Sequence, residues 1–300
     1  MSVPSALADA VARATGAAVT GGRPTSGGSI NEAWALELDG GLRAFVKTRA
    51  DAAPGEYATE AAGLRWLAEP GAVELPGVVA VGEDEPRFLA LEWIEEGSLD
   101  AAGEEALGRG LAALHAAGAP APGAPPPGAP SADGAVAPLR IGELELPNDP
   151  TADWPSFYAQ RRLLPLADLA LRRGALSAAG RTAVERVCER IGELAGSPEP
   201  PARLHGDLWG GNVLAGADGR ARLIDPAAYG GHREVDLAML RLFGAPSQRV
   251  FAAYEEAAPL ADGHEERVEL WQLFPLLVHA ALFGGHYGAA VERAARRYVG

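Results

Sequence analysis

The chain has 300 residues, a formal net charge of −14 and a single cysteine. That length suits one large domain or two modest lobes with separate cores. The acidity argues against nucleic acid or anionic lipid as general partners, because phosphate-rich surfaces attract Lys and Arg. One cysteine, Cys188, excludes an intramolecular disulfide and a cysteine-built metal site.

The opening "MSVPSALADAVARATGAAV" lacks a basic start and carries Asp9 and Arg13 within its apolar stretch. It is expected to be an amphipathic helix rather than a signal peptide. Residues 33–38 and 42–48 are short apolar runs with β-formers, joined by Asp39, Gly40 and Gly41, which predicts a hairpin. Helical spacing in "GEYATEAAGLRWLAE" predicts a helix over 56–68. Two further strands follow, with a turn at Glu83–Pro86.

From Ala101 the pattern turns helical, over 103–117, 153–173, 177–195, 247–258, 264–283 and 285–298. Residues 118–138 are too rich in Pro and Gly to build a core and are expected to form a mobile surface loop. Trp271, Phe274 and Phe283 fall at helical spacing and are expected in the core. The apolar run "LWQLFPLLVHAALFGG" is interrupted by Gln272, Pro275 and His279 and is too short to span a bilayer. The expected organisation is α+β: a β-rich N-terminal lobe, residues 1–96, joined near Glu95–Ser98 to a mainly helical C-terminal lobe, residues 97–300. A cleft between such lobes is a common ligand site. A cytoplasmic monomer without nucleic-acid or membrane partners is the expectation.

The chemistry concentrates in "ARLHGDLWGGNVLAGADGRARLIDPAAYG". His205, Asp207, Leu208 and Asn212 match the phosphotransferase pattern H-x-D-L-x-x-x-N, and Asp225 follows a short apolar run, where a kinase places its metal-binding aspartate. Magnesium takes hard oxygen ligands, usually only one or two of them protein carboxylates. Asn212 and Asp225 are therefore candidate Mg²⁺ ligands, leaving Asp207 to accept a proton from an attacking hydroxyl.

The other kinase parts follow in order. Gly27, Gly28 and Ser29 in "SGGSINEAW" offer backbone N–H groups for phosphates, without a full GxGxxG pattern. Lys47 in "RAFVKT" stands on a strand, and Glu60 lies in the next helix, where it can hold the ammonium toward the ATP phosphates. Glu92, Trp93 and Ile94 form a candidate hinge for an adenine edge. Each has a bland alternative: Lys47 and Glu60 as surface charges, Asp207 and Asp225 as turn formers, Trp209 as a core support. His205 reads as a structural residue that bonds backbone in the loop.

"HGDLWGGNVL", "LIDPAAYGGHREVDLAML", "LFG" and "LLVHAALFGGHYG" resemble blocks of the fructosamine kinase, or ketosamine 3-kinase, family, of the aminoglycoside phosphotransferase-like branch of the protein-kinase-like fold. The similarity runs from about Gly21 to the C-terminus and is weakest over 118–138. It implies ATP- and Mg²⁺-dependent phosphorylation of the 3-hydroxyl of a ketosamine, free or on a glycated lysine side chain, followed by release of the amine. It makes Asp207 the base, Asn212 and Asp225 the metal ligands, Lys47 and Glu60 the phosphate holders, and Asp236 a brace for the catalytic loop. Trp209 would offer the acceptor a stacking face. Related kinases for aminoglycosides, choline or sugars, and a nucleotide-binding pseudokinase, are the alternatives.

Overall fold

The computed structural model describes residues 2–25, 31–131, 134–244 and 247–299. Helix α1 (Ser5–Thr15) precedes five strands: β1 (Val19–Thr25), β2 (Glu32–Leu38), β3 (Leu42–Thr48), β4 (Val78–Gly82) and β5 (Phe88–Glu92), with helix α2 (Glu56–Ala68) between β3 and β4. They form one antiparallel sheet in the order β1-β2-β3-β5-β4. Period-two alternation sends alternate side chains to opposite faces. Trp34, Leu36, Val46 and Phe88 pack against Leu7 and Val11 of α1. Leu89 and Leu91 pack with Tyr57, Ala61 and Leu64, which share one face of α2.

The expected strands at 33–38 and 42–48 and the helix at 56–68 agree with β2, β3 and α2. Strand β1 has no counterpart among the expectations, because "VTGGRPT" is rich in Gly and carries Pro24. It is an edge strand, where a proline without an N–H is tolerated.

Beyond residue 100 the chain is mainly helical. Helix α3 (Ala101–Ala116) leads to a hairpin of β6 (Leu139–Ile141) and β7 (Leu144–Leu146). Helices α4 (Trp154–Phe157) and α5 (Leu164–Arg172) are joined by a π-turn at Tyr158–Leu163. Helices α6 (Ala178–Glu189) and α7 (Ile191–Leu194) precede strands β8 (Ala202–Leu204), β9 (Val213–Ala215), β10 (Ala221–Leu223) and β11 (Tyr229–Gly231). Helices α8 (Glu234–Leu242), α9 (Gln248–Ala257), α10 (His264–Phe283) and α11 (Tyr287–Val299) complete the chain.

Trp271, Phe274 and Leu277 of α10 centre the largest core. Phe283 departs from expectation: it is the last residue of α10 and 58% exposed, although Ala280 and Ala281 of the same turn are buried in the core. Helix α8 is nine residues long, and Glu234 through Leu240 are all buried, its acidic side chains included.

The Pro/Gly-rich stretch does not stand clear of the fold. Gly123 N donates to Gly230 O at 2.8 Å, and Gly230 N donates to Ala124 O at 2.9 Å, tying the segment to β11. Gly123, Pro126 and Ala137 are buried. Prolines lack a backbone N–H and have φ preset, so this segment can lie against the body of the protein with few backbone partners.

Candidate active site

Two short antiparallel pairs, β8 with β11 and β9 with β10, present the loops that carry the functional side chains. Asp207 follows β8, and Asp225 follows β10. Leu208 anchors the first loop in a core with Leu111, Leu223, Leu237 and Val250. His205 is fully buried and neutral, its pKa lowered by burial, and its Nε2 donates to Ile224 O at 3.0 Å. That bond ties the two loops together.

Asp236, in the first turn of α8, braces the loop from below. Its Oδ2 accepts from His205 N at 2.7 Å and its Oδ1 from Gly206 N at 2.9 Å. His115 of α3 adds a third contact, Nε2 to Asp236 Oδ2 at 3.3 Å, while its Nδ1 meets the Tyr254 hydroxyl at 2.9 Å. His115 stands in the last turn of α3, and only the tertiary structure buries it beside Asp236.

Gly206 has φ +82°, and a Cβ there would stand 1.9 Å from Ala227 O. Gly206→Ala is expected to displace the loop and lower kcat by about 100-fold, the order that misplacement of a catalytic group by about 1 Å produces. Steady-state kinetics on folded protein checks this, and a near-normal rate would show that the loop tolerates the shift.

Asp207 faces the cleft beside Asn212, whose Nδ2 donates to the Asp207 carbonyl at 2.8 Å and to its Oδ2 at 3.1 Å. Burial pushes the Asp207 carboxyl up to about 6, with the Asn212 bond pulling the other way and the charges of Asp225 and Asp236 adding to the rise. A carboxylate in that range is still ionised at neutral pH yet basic enough to take a proton in a transition state.

Lys47, buried on β3, contacts Glu60 of α2 at 2.5 Å and Asp225 at 2.9 Å. Burial opposes its charge, but the two carboxylates outweigh it and hold the ammonium above its ordinary range. Burial pushes the Glu60 carboxyl up while Lys47 pulls it down. The net direction for Glu60 is upward, to about 7, with burial the larger cause.

Asp225 has φ 53°, a left-handed conformation that Asp tolerates better than most side chains. The donor set suits a magnesium ion. Both Asn212 Nδ2 hydrogen bonds leave its amide oxygen uncommitted to Asp207, and Asp225 keeps a carboxylate oxygen beyond the one on Lys47.

Two cavities meet at these residues. The first, about 240 Å³, is lined by Lys47, Glu60, Asp207, Trp209, Asn212 and Asp225 among others. The second, about 270 Å³, shares Trp209, Asn212 and Asp225 and continues between Phe45, Leu214 and Ile224 to Glu92, Trp93 and Ile94. Its mainly apolar walls suit a flat heteroaromatic ring. The Trp93 indole is turned onto Arg43, whose guanidinium lies 4.5 Å from the ring centre. Gly27, Gly28 and Ser29 lie outside the described residues.

Sequence reasoning missed Phe45, although it sits two residues before Lys47 and so shares its strand face. It also missed Pro125, Pro126 and Asn148, which line the first cavity, because nothing local signals that the Pro-rich segment returns to the cleft. Trp209 is 38% exposed, and its indole folds over Gly211, where a Cβ would meet the ring at 2.2 Å. Gly210 passes equally close to Gly244, with its Cβ position 2.6 Å from Gly244 O. The two glycines thus make room for the indole and for the loop after α8. Cys188 takes no part: burial pushes its thiol up to about 12.

A five-stranded antiparallel sheet with an inserted helix, a helical body and this lysine, glutamate, asparagine and paired-aspartate constellation define a phosphotransferase of the protein-kinase-like fold. The fructosamine kinase family model matches residues 4–299, and the chain belongs to that family. A Thermus thermophilus protein assigned as a ketoamine kinase is 36% identical over 274 residues, covering 90% of this chain and 91% of its own. A Staphylococcus aureus protein with the same assignment is 33% identical, covering 89% of each. The crystal structure of a Thermobifida fusca protein assigned as a fructosamine-3-kinase superposes with a TM-score of 0.87 at 42% identity, covering 99% of both chains. The chain is a kinase whose acceptor group is an alcohol. Among the described residues no helix is long and apolar enough to cross a membrane.

Proposed function

We propose that the protein transfers the γ-phosphoryl group of ATP to the 3-hydroxyl of a ketosamine, whose phosphorylated product breaks down to release the amine. The observation that carries this reading is the convergence of Lys47, Asp207, Asn212 and Asp225 on one cavity with Trp209 at its junction with an apolar second cavity. In the proposed reaction the adenine lies between Phe45 and Ile224 and bonds the backbone of the Glu92–Ile94 hinge. Lys47, steadied by Glu60, orients the α- and β-phosphates.

The acceptor hydroxyl gives its proton to Asp207 as its oxygen bonds to the γ-phosphorus. The bond from that phosphorus to the β–γ bridging oxygen breaks, and ADP leaves. Asn212 and Asp225 would hold a magnesium ion, which supplies positive charge to the phosphate oxygens. Asp236 and His205 hold the loop so that Asp207 meets the hydroxyl in line with the leaving group. The chain pairs Gly97 N with Ala215 O and Ala217 N with Glu95 O, which supports residues 95–97 as the junction between an N-terminal lobe of 1–96 and a C-terminal lobe of 97–300. The assigned activities of the bacterial relatives support the ketosamine as acceptor.

The test is ADP release from Mg-ATP with ribulosamine, fructosamine, an aminoglycoside and choline offered in parallel. Stimulation by the ketosamines is expected. Turnover with the aminoglycoside or choline alone would overturn the acceptor, and no turnover with any of the four would favour a nucleotide-binding module.

A further inference from the structure

A row of aromatic rings leaves the cleft at Trp209. Phe243 meets the Trp209 indole edge-on, with centroids 6.2 Å apart and planes at 80°. His279 lies 4.6 Å beyond Phe243, and is in turn 5.5 Å from Phe283 and 5.0 Å from Tyr287. His286 stacks on Tyr287 at 4.3 Å. The rings come from four places in the chain: the catalytic loop, the end of α8, the last turns of α10 and the start of α11. None beyond Trp209 lines either cavity of the cleft.

The row is open to solvent at both ends, with Trp209 38% and Phe283 58% exposed and His286 exposed. Single exposed apolar side chains are ordinary, but here two exposed rings are joined through half-buried Phe243 and His279 into one series that starts at the catalytic cleft. Its chemistry is apolar and uncharged at the centre. Pro275 O can only accept, so the 2.8 Å contact with His279 Nδ1 places the proton there, and burial holds that ring neutral. Such a surface suits an aromatic or aliphatic chain.

Covalent chemistry says which half of the acceptor reaches it. In a ketosamine one carbon separates the carbon bearing the reacting hydroxyl from the carbon bearing the amine. With that hydroxyl at Asp207, the amine and its substituent emerge close to the base, and Trp209 is only two residues away. We propose that the Trp209–Phe243–His279–Phe283 row is a subsite for the substituent on the amine nitrogen. It selects ketosamines of amines with an apolar or aromatic chain over those of short amines. This rests on the ketosamine reading of the acceptor.

The test compares fructose adducts of methylamine and of 6-phenylhexylamine, a chain long enough to follow the row from the base, in the wild type and in Phe283→Ala, an exposed position outside the catalytic machinery. The wild type is expected to favour the phenylhexylamine adduct in kcat/KM by about three- to tenfold, mostly through KM, the range typical of one good aromatic contact. Phe283→Ala should remove most of that advantage and leave the methylamine adduct unchanged. Equal efficiency with the two adducts in the wild type, or an equal loss with both in the variant, overturns the subsite while leaving the ketosamine reading intact. Failure of both adducts to release ADP overturns that reading and the subsite with it.

Discussion

Asp207→Asn is expected to lower kcat by about 10²- to 10⁴-fold while leaving ATP binding close to that of the wild type. The range is that of a positioned general base. The substitution keeps the shape of the side chain, and an amide oxygen at position 207 can still accept from Asn212 Nδ2, so the loop has no cause to move. Lys47, Glu60 and Asp225 remain joined by their own contacts at 2.5 and 2.9 Å. Nucleotide titration by calorimetry, set beside single-turnover rates, separates the two effects. A rate within a few-fold of the wild type would remove Asp207 from the chemistry, and lost nucleotide binding would make it a structural residue instead.

Asp236→Ala is expected to have the largest effect on stability. The side chain is buried and satisfies His205 N, Gly206 N and His115 together. Alanine leaves two buried backbone donors without an acceptor, each worth about 1–3 kcal/mol. A total of about 3 kcal/mol or more is a large share of the roughly 5–15 kcal/mol that holds a domain folded. Thermal melts should show a Tm lower by about 6–12 °C, taking about 2–4 °C per kcal/mol for a large domain. The variant that remains folded should also be slow, because the same two N–H groups set the direction of the loop carrying Asp207. An unchanged Tm would mean that water or a shifted side chain replaces the carboxylate.

The elements legible in the sequence are the short β-former runs on either side of a turn and the longer runs with apolar residues at helical spacing. Strands β2 and β3 and helices α2 and α10 fall where the periods place them. Strand β1, the span of helix α8 beyond a helix start at Asp236, and the β6–β7 hairpin were not legible. The first is built of Gly and Pro on a sheet edge, and the second is buried on every side. The third is only three residues per strand, too short for a pattern to emerge. Phe283 shows the converse error. It has the spacing of a core residue but is the last residue of its helix and is exposed.

For the site, the spacing of His205, Asp207, Asn212 and Asp225, with Lys47 and Glu60 upstream, was present in the sequence and already named the class of chemistry. The sequence also determined the order of sheet and helical regions, since both depend on local period and composition. Only the tertiary structure joined Lys47 to Asp225 across 178 residues, tucked the Pro-rich segment against β11 and into the cleft wall, and aligned four separate segments into one aromatic row. The reason is physical. Backbone preference and side-chain period act over a few residues, whereas these contacts depend on where a long chain returns, which is settled by the packing of whole elements.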